Sequence, residues 1–166
     1  KARPHYALGT AYHAKDRVEE ALREFQEALR LDPNFAMVHN NLGRVYFKQG
    51  RLDEALREYQ DALRLDPNLS SIHNNLGTVY FKQDRLDEAL REFQTALRLD
   101  PYNVEAENNL GALYAKQDRL DEALREFQTA LRLDPNFPMA HNNLGRVFFK
   151  QGRLDEALRE FQTALR

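Results

Sequence analysis

Cysteine is absent from the 166 residues, so neither a disulfide nor a thiolate metal site is available, and the redox compartment is left open. Serine is almost absent, with Ser70 and Ser71 alone, at a position where a helix is expected to begin. N-capping accounts for them better than nucleophilic chemistry does. Charge of one sign is also lacking. Twenty-four basic residues stand against 26 acidic ones, a net charge of −2, which provides no field to hold a nucleic-acid backbone. No apolar run approaches the ~20 residues that span a bilayer, and the opening Lys1-Ala2-Arg3-Pro4-His5 does not read as a signal peptide. A soluble protein is expected, with the cytoplasm favoured and neither nucleic acid nor membrane as a partner. Glycines occur singly, so there is no phosphate-cradling loop. Without a catalytic constellation, the expectation is no enzyme, no cofactor and no metal.

What the chain does have is periodicity. Pro33, Pro67, Pro101 and Pro135 are spaced by a constant interval, as are Gly9, Gly43, Gly77, Gly111 and Gly145. The segment from Glu88 to Pro101 recurs residue for residue as Glu122 to Pro135. Repetition on this scale, a supersecondary unit of ~34 residues, indicates a stacked array. The units are taken as 2–35, 36–69, 70–103, 104–137 and 138–166, the last shortened, in a single array over 1–166. With 42% hydrophobic residues the chain can bury a substantial core.

Each unit reads as two helices. In the second, Val38, Leu42, Val45 and Tyr46 form one apolar stripe, and Leu52, Ala55, Leu56, Tyr59, Ala62 and Leu63 form another. Between them lies Gly50, matched by Asp16, Asp84, Asp118 and Gly152, residue types that tolerate the left-handed conformation ending a helix. The Leu-Asp-Pro stretches end each second helix, because proline cannot continue it. A glycine inside a helix costs about 1 kcal/mol relative to alanine. The five periodic glycines therefore need a compensation, and close approach to a facing helix of small and aromatic residues supplies one.

The recurring Leu-Gly, Tyr, Ala, aromatic, Ala and Pro resemble the tetratricopeptide repeat. The second unit shows Leu42-Gly43, Tyr46, Ala55, Tyr59, Ala62 and Pro67, and the third Leu76-Gly77, Tyr80, Ala89, Phe93, Ala96 and Pro101. Where that family favours tryptophan, this chain has His5, His39, His73, Glu107 and His141. Helices packed 8–10 Å apart keep these rings from converging on one ion, so packing histidines are expected and a metal site is not. The resemblance implies an all-α fold, a right-handed superhelical solenoid of stacked antiparallel helix pairs whose first helices line a concave groove. It also implies a role in binding peptides or assembling complexes.

On the first helices, the side opposite the apolar stripe carries Tyr6, Phe47, Phe81 and Phe149, with Asn40, Asn74, Asn108, Asn142, Arg44 and Arg146. Lys48, Lys82, Lys116 and Lys150 lie along its edge, so seven cations (with Arg3) face one acid, Glu105. An exposed aromatic row beside arginine and asparagine has the composition of an interface. Asn41, Asn75, Asn109 and Asn143 form a flanking row, and asparagines matching these in the family commonly hold the backbone of an extended peptide. An amide suits that task because it both donates and accepts. The expected ligand is an acidic peptide with some apolar side chains. The chaperone-tail clamp of the family, which needs lysine at the positions of Asn40 and its equivalents, is not expected. Two alternatives stay open: a self-assembling scaffold whose arrays stack through their ends, and an engineered or excised array without separate activity.

Overall fold

A computed structural model describes residues 1–166 as ten helices without a strand. They are α1 Ala2–Ala14, α2 Val18–Leu31, α3 Ala36–Lys48, α4 Leu52–Leu65, α5 Ser70–Lys82, α6 Leu86–Leu99, α7 Val104–Lys116, α8 Leu120–Leu133, α9 Pro138–Lys150 and α10 Leu154–Ala164. Each odd helix packs along the even helix that follows it, and each even helix then packs on the next odd one. Consecutive odd helices also touch, and the result is the all-α solenoid that the period implies. No helix is long and apolar enough to cross a membrane.

Within a pair the glycine accounts for the closeness. A Cβ added at Gly43 would lie 2.6 Å from Tyr59 Cε1, so the ring lies directly on bare helix backbone. The same overlap recurs with Phe25, Phe93, Phe127 and Phe161 over the other four helical glycines. Ala55 and Ala62, both fully buried, flank that ring on α4 and let α3 approach. Between pairs, Val38, Leu42 and Val45 of α3 cluster with Ala21, Phe25 and Ala28 of α2, and Ile72, Leu76 and Val79 of α5 with Ala55, Tyr59 and Ala62 of α4.

The turns are built twice over. After each odd helix comes one left-handed residue: Asp16, Asp84 and Asp118 at φ 58°, 62° and 62°, and Gly50 and Gly152 at 73° and 76°. The N–H of the arginine after it closes back on the helix, as Arg51 does on Tyr46 O at 2.9 Å. That guanidinium then lies over the same tyrosine, 4.4 Å from the ring centre, and pairs with Glu54. After the even helices, the aspartates of Leu-Asp-Pro are extended, and each carboxylate accepts the N–H two residues on, Asn68 N to Asp66 Oδ1 at 3.1 Å for example. The expected serine cap is not formed. Ser70 is already helical, donates to Ala96 O at 3.0 Å and accepts from Asn103 Nδ2 at 2.9 Å, so it ties two pairs together.

Candidate functional site

The odd-helix surface differs from its expected composition because neighbouring pairs use much of it on one another. Asn75 Nδ2 donates to Asn40 Oδ1 at 3.1 Å, Asn109 to Asn74 at 2.9 Å, and Asn143 to Asn108 at 3.0 Å. The two asparagine rows are thus rungs of one ladder joining consecutive odd helices. Asn40, Asn41, Asn74 and Asn108 are buried, Asn75, Asn109 and Asn143 half-buried, and Asn142 alone is exposed. The first rung differs because Tyr6 occupies the asparagine position, and Asn41 Nδ2 donates to Thr10 Oγ1 instead, at 3.2 Å. A buried amide needs partners, and in this chain the adjacent pair provides them.

The aromatic row is also reduced. Tyr6 stacks into the core against Phe35 and Phe25, at 5.0 and 6.4 Å between ring centres. Phe47 and Phe81 are half-buried against the central core, and Phe149 is 63% exposed. In the turns, Phe35 packs on Tyr6 of α1, whereas Tyr102 is 77% exposed.

Charge is redistributed by a pairing at constant separation. Lys48, Lys116 and Lys150 each reach the left-handed aspartate of the preceding pair, Asp16, Asp84 and Asp118, all at 2.6 Å. Lys82 meets Gly50 at that place and forms no ion pair. Arg44 and Arg146 are exposed and likewise without a carboxylate partner. The cationic character of the surface therefore rests on these three residues and Arg3, and not on the whole row.

Between α5, α7, α8 and α9 lies a cavity of ≈ 520 Å³. Ala112, Ala115, Leu120 and Val147 form its apolar part, and Phe81, Asn143 and Arg146 stand around it with Lys116 and Lys150. Lys116 Nζ sits 5.0 Å from the centre of the Phe81 ring while holding Asp84. The cavity unites Phe81, Asn143 and Arg146 from the expected groove. Arg44, Phe47, Asn142 and Phe149 lie elsewhere along the odd helices.

The histidines are hydrogen-bonded across each helix pair. His5, His39, His73 and His141 each place Nδ1 on a glutamate of the following even helix, Glu24, Glu58, Glu92 and Glu160, at 2.6 to 2.8 Å. Those glutamates are half-buried. The hydrogen bonds that His39 and His73 donate to Glu58 and Glu92 hold both rings above the usual histidine pKa, against the effect of burial. In the fourth pair Glu107 replaces histidine and faces Glu126. Burial first, then Glu126, push the Glu107 carboxyl up to about 7. Its Oε2 is buried without a hydrogen-bond partner.

Sequence models of the family described as TPR repeat match residues 9–50 and 43–84, and models described as tetratricopeptide repeat match residues 68–136 and 109–166. No curated protein sequence matches the chain significantly. Among solved structures, pilF of Pseudomonas aeruginosa superposes with a TM-score of 0.88 at 25% identity, covering 99% of this chain and 75% of that one. A thermophilic TPR protein of Thermus thermophilus gives 0.86 at 26% identity, over 99% of this chain and 90% of the other. YrrB, described as a TPR protein with an unusual peptide-binding site, gives 0.72 at 28%, over 99% and 85%. Helix pairs closed by a glycine under an aromatic ring, stacked at a constant interval and matched by these models from residue 9 to the end, place the chain in the tetratricopeptide repeat family.

Proposed function

We propose that this chain is a non-catalytic interaction module whose odd-helix face binds an extended, acidic segment of a protein partner bearing apolar side chains. The observation that carries the reading is the juxtaposition of unpaired cations, Arg44, Arg146 and Lys82, with Phe47, Phe81 and Phe149 on one face. The even helices also carry arginines without an ion pair, Arg57 and Arg159 among them, but their aromatic rings, Phe25, Tyr59, Phe93, Phe127 and Phe161, lie over the helical glycines and not beside those cations. Unpaired charge steers encounter and sets register, while desolvated aromatic area supplies affinity. The family generally serves as an interaction scaffold, and the peptide-binding site described for YrrB supports the choice of ligand class. In this reading Asn142 and the carbonyl of Asn143 hold peptide backbone. The paired asparagines Asn40, Asn41, Asn74, Asn75, Asn108 and Asn109 fix the spacing of the helices that present the site.

The test is an unbiased peptide selection on the isolated array, followed by affinity measurement on charge-reversed variants. Arg44→Glu with Arg146→Glu should weaken the selected peptides and reduce their salt dependence. Arg57→Glu with Arg159→Glu, on the even helices, should leave them nearly unchanged.

A second reading, arrays stacking end to end, is favoured by Leu154, Leu158 and Leu165 on and after α10 and by Leu8 on α1, all exposed. Sedimentation at rising concentration should show association that Leu158→Glu reduces; a strictly monomeric chain contradicts it.

A further inference from the structure

From α3 onward the odd helices carry bulk at two positions of the groove, and one helix breaks both. The first position reads Arg44, Thr78, Ala112 and Arg146; the second reads Phe47, Phe81, Ala115 and Phe149. Residues three apart share a helix face, so the two alanines of α7 remove side chains from a single spot. The helices on either side remain at the solenoid spacing, and the ≈ 520 Å³ cavity opens there. That size lies within the ~300–1,000 Å³ of small-ligand pockets.

The cavity has a built floor and an unsatisfied rim. Val147 and Phe127 line its apolar interior and are almost fully buried. Lys116 and Lys150 at the rim are engaged by Asp84 and Asp118. Asn143 commits Nδ2 to Asn108. Arg146 is exposed, lines the cavity, and has no carboxylate partner, and no acidic residue lines the cavity at all.

We infer that this cavity is the anchor subsite of the odd-helix groove. It receives one phenylalanine-sized side chain from the partner segment, and a carboxylate on that residue or the next pairs with Arg146. The inference rests on the groove reading above and adds to it a position and a ligand chemistry. Apolar area would be buried on Ala112, Ala115 and Val147, whereas the charge-assisted bond to the guanidinium would select an acidic neighbour.

The probe is 3-phenylpropionate, a ring and a carboxylate on a short tether, titrated into the ¹⁵N-labelled full chain and followed amide by amide. Saturable shifts are expected at Ala112, Ala115, Asn143 and Arg146. Ala115→Phe, which installs the residue found at the same place in α3, α5 and α9, should fold with an unchanged melting temperature and abolish these shifts. Arg146→Gln should weaken phenylpropionate on the order of tenfold and leave the uncharged 3-phenyl-1-propanol unaffected. Shifts that survive Ala115→Phe, or equal binding of acid and alcohol to the wild type, overturn the inference. The groove reading is judged separately. If selected peptides lose affinity in Arg44→Glu/Arg146→Glu yet bind Ala115→Phe fully, the groove stands and the subsite is wrong. If they respond only to even-helix reversals, the groove is wrong and the phenylpropionate titration alone decides the pocket.

Discussion

Glu107 is 9% exposed, faces a second glutamate, and leaves one oxygen buried without a partner. Every other pair has a histidine there, hydrogen-bonded to a glutamate across the two helices. An unsatisfied buried polar group costs about 1–3 kcal/mol, so Glu107→His should raise the urea midpoint near neutral pH by a corresponding amount. A lowered midpoint would show that α7 has adapted to the carboxyl. The same group gives a pH dependence with a definite sign. Its pKa is raised from 4.5 to about 7 on folding, so its contribution is fully present below 4.5 and is lost as pH rises through about 7. The raised values of His39 and His73 act in the same direction, their contribution present below 6.5 and lost above their folded pKa. Stability should therefore fall between about pH 5 and about pH 8, and Glu107→Gln should shrink that fall. An undiminished fall would assign it wholly to the histidine pairs.

At the scale of the helix and its turn, the sequence was legible where one residue type serves one local purpose. The periodic glycines pointed to a close helix approach, and the structure supplies the ring that occupies the space. Gly43→Ala is a sharp test, since alanine favours the helix by about 1 kcal/mol yet would place Cβ 2.6 Å from Tyr59. Net destabilisation of about 1–3 kcal/mol is expected from overpacking, and a stabilised variant would contradict the packing account. Gly50 poses the opposite case, with φ at +73° and open space around it. Gly50→Asp places there the residue that pairs with lysine in three other turns, so it should fold normally and engage Lys82. Binding of an acidic segment should weaken, read by affinity at low salt; an unchanged affinity would remove Lys82 from the groove.

What was not legible depended on contacts between elements. Asparagines at positions 40 and 74 look solvent-facing on a single helical wheel, because the wheel contains no neighbouring helix. The ladder appears only when Asn75 is brought to Asn40. A signal did exist in the constant offsets: each paired histidine precedes its glutamate by 19 residues, and each paired lysine follows its aspartate by 32. In the phenylalanine row the informative position is its gap, Ala115.

Across the whole molecule, stacking has a selective effect on charge. Each pair neutralises the lysine of the next wherever the turn is aspartate, and on the odd-helix face the cations left over stand with aromatic side chains. Surface ion pairs add little stability, so what this arrangement controls is which cations remain available to a partner. The most direct measurement is the affinity of a selected peptide for the wild type, for Arg44→Glu/Arg146→Glu and for Arg57→Glu/Arg159→Glu, each at low and high salt. The expected result is a loss on the order of tenfold or more with a flattened salt response for the first variant, and near-wild-type behaviour for the second. Equal losses in both variants, or a loss in the second alone, would place the ligand away from the odd helices and contradict the account.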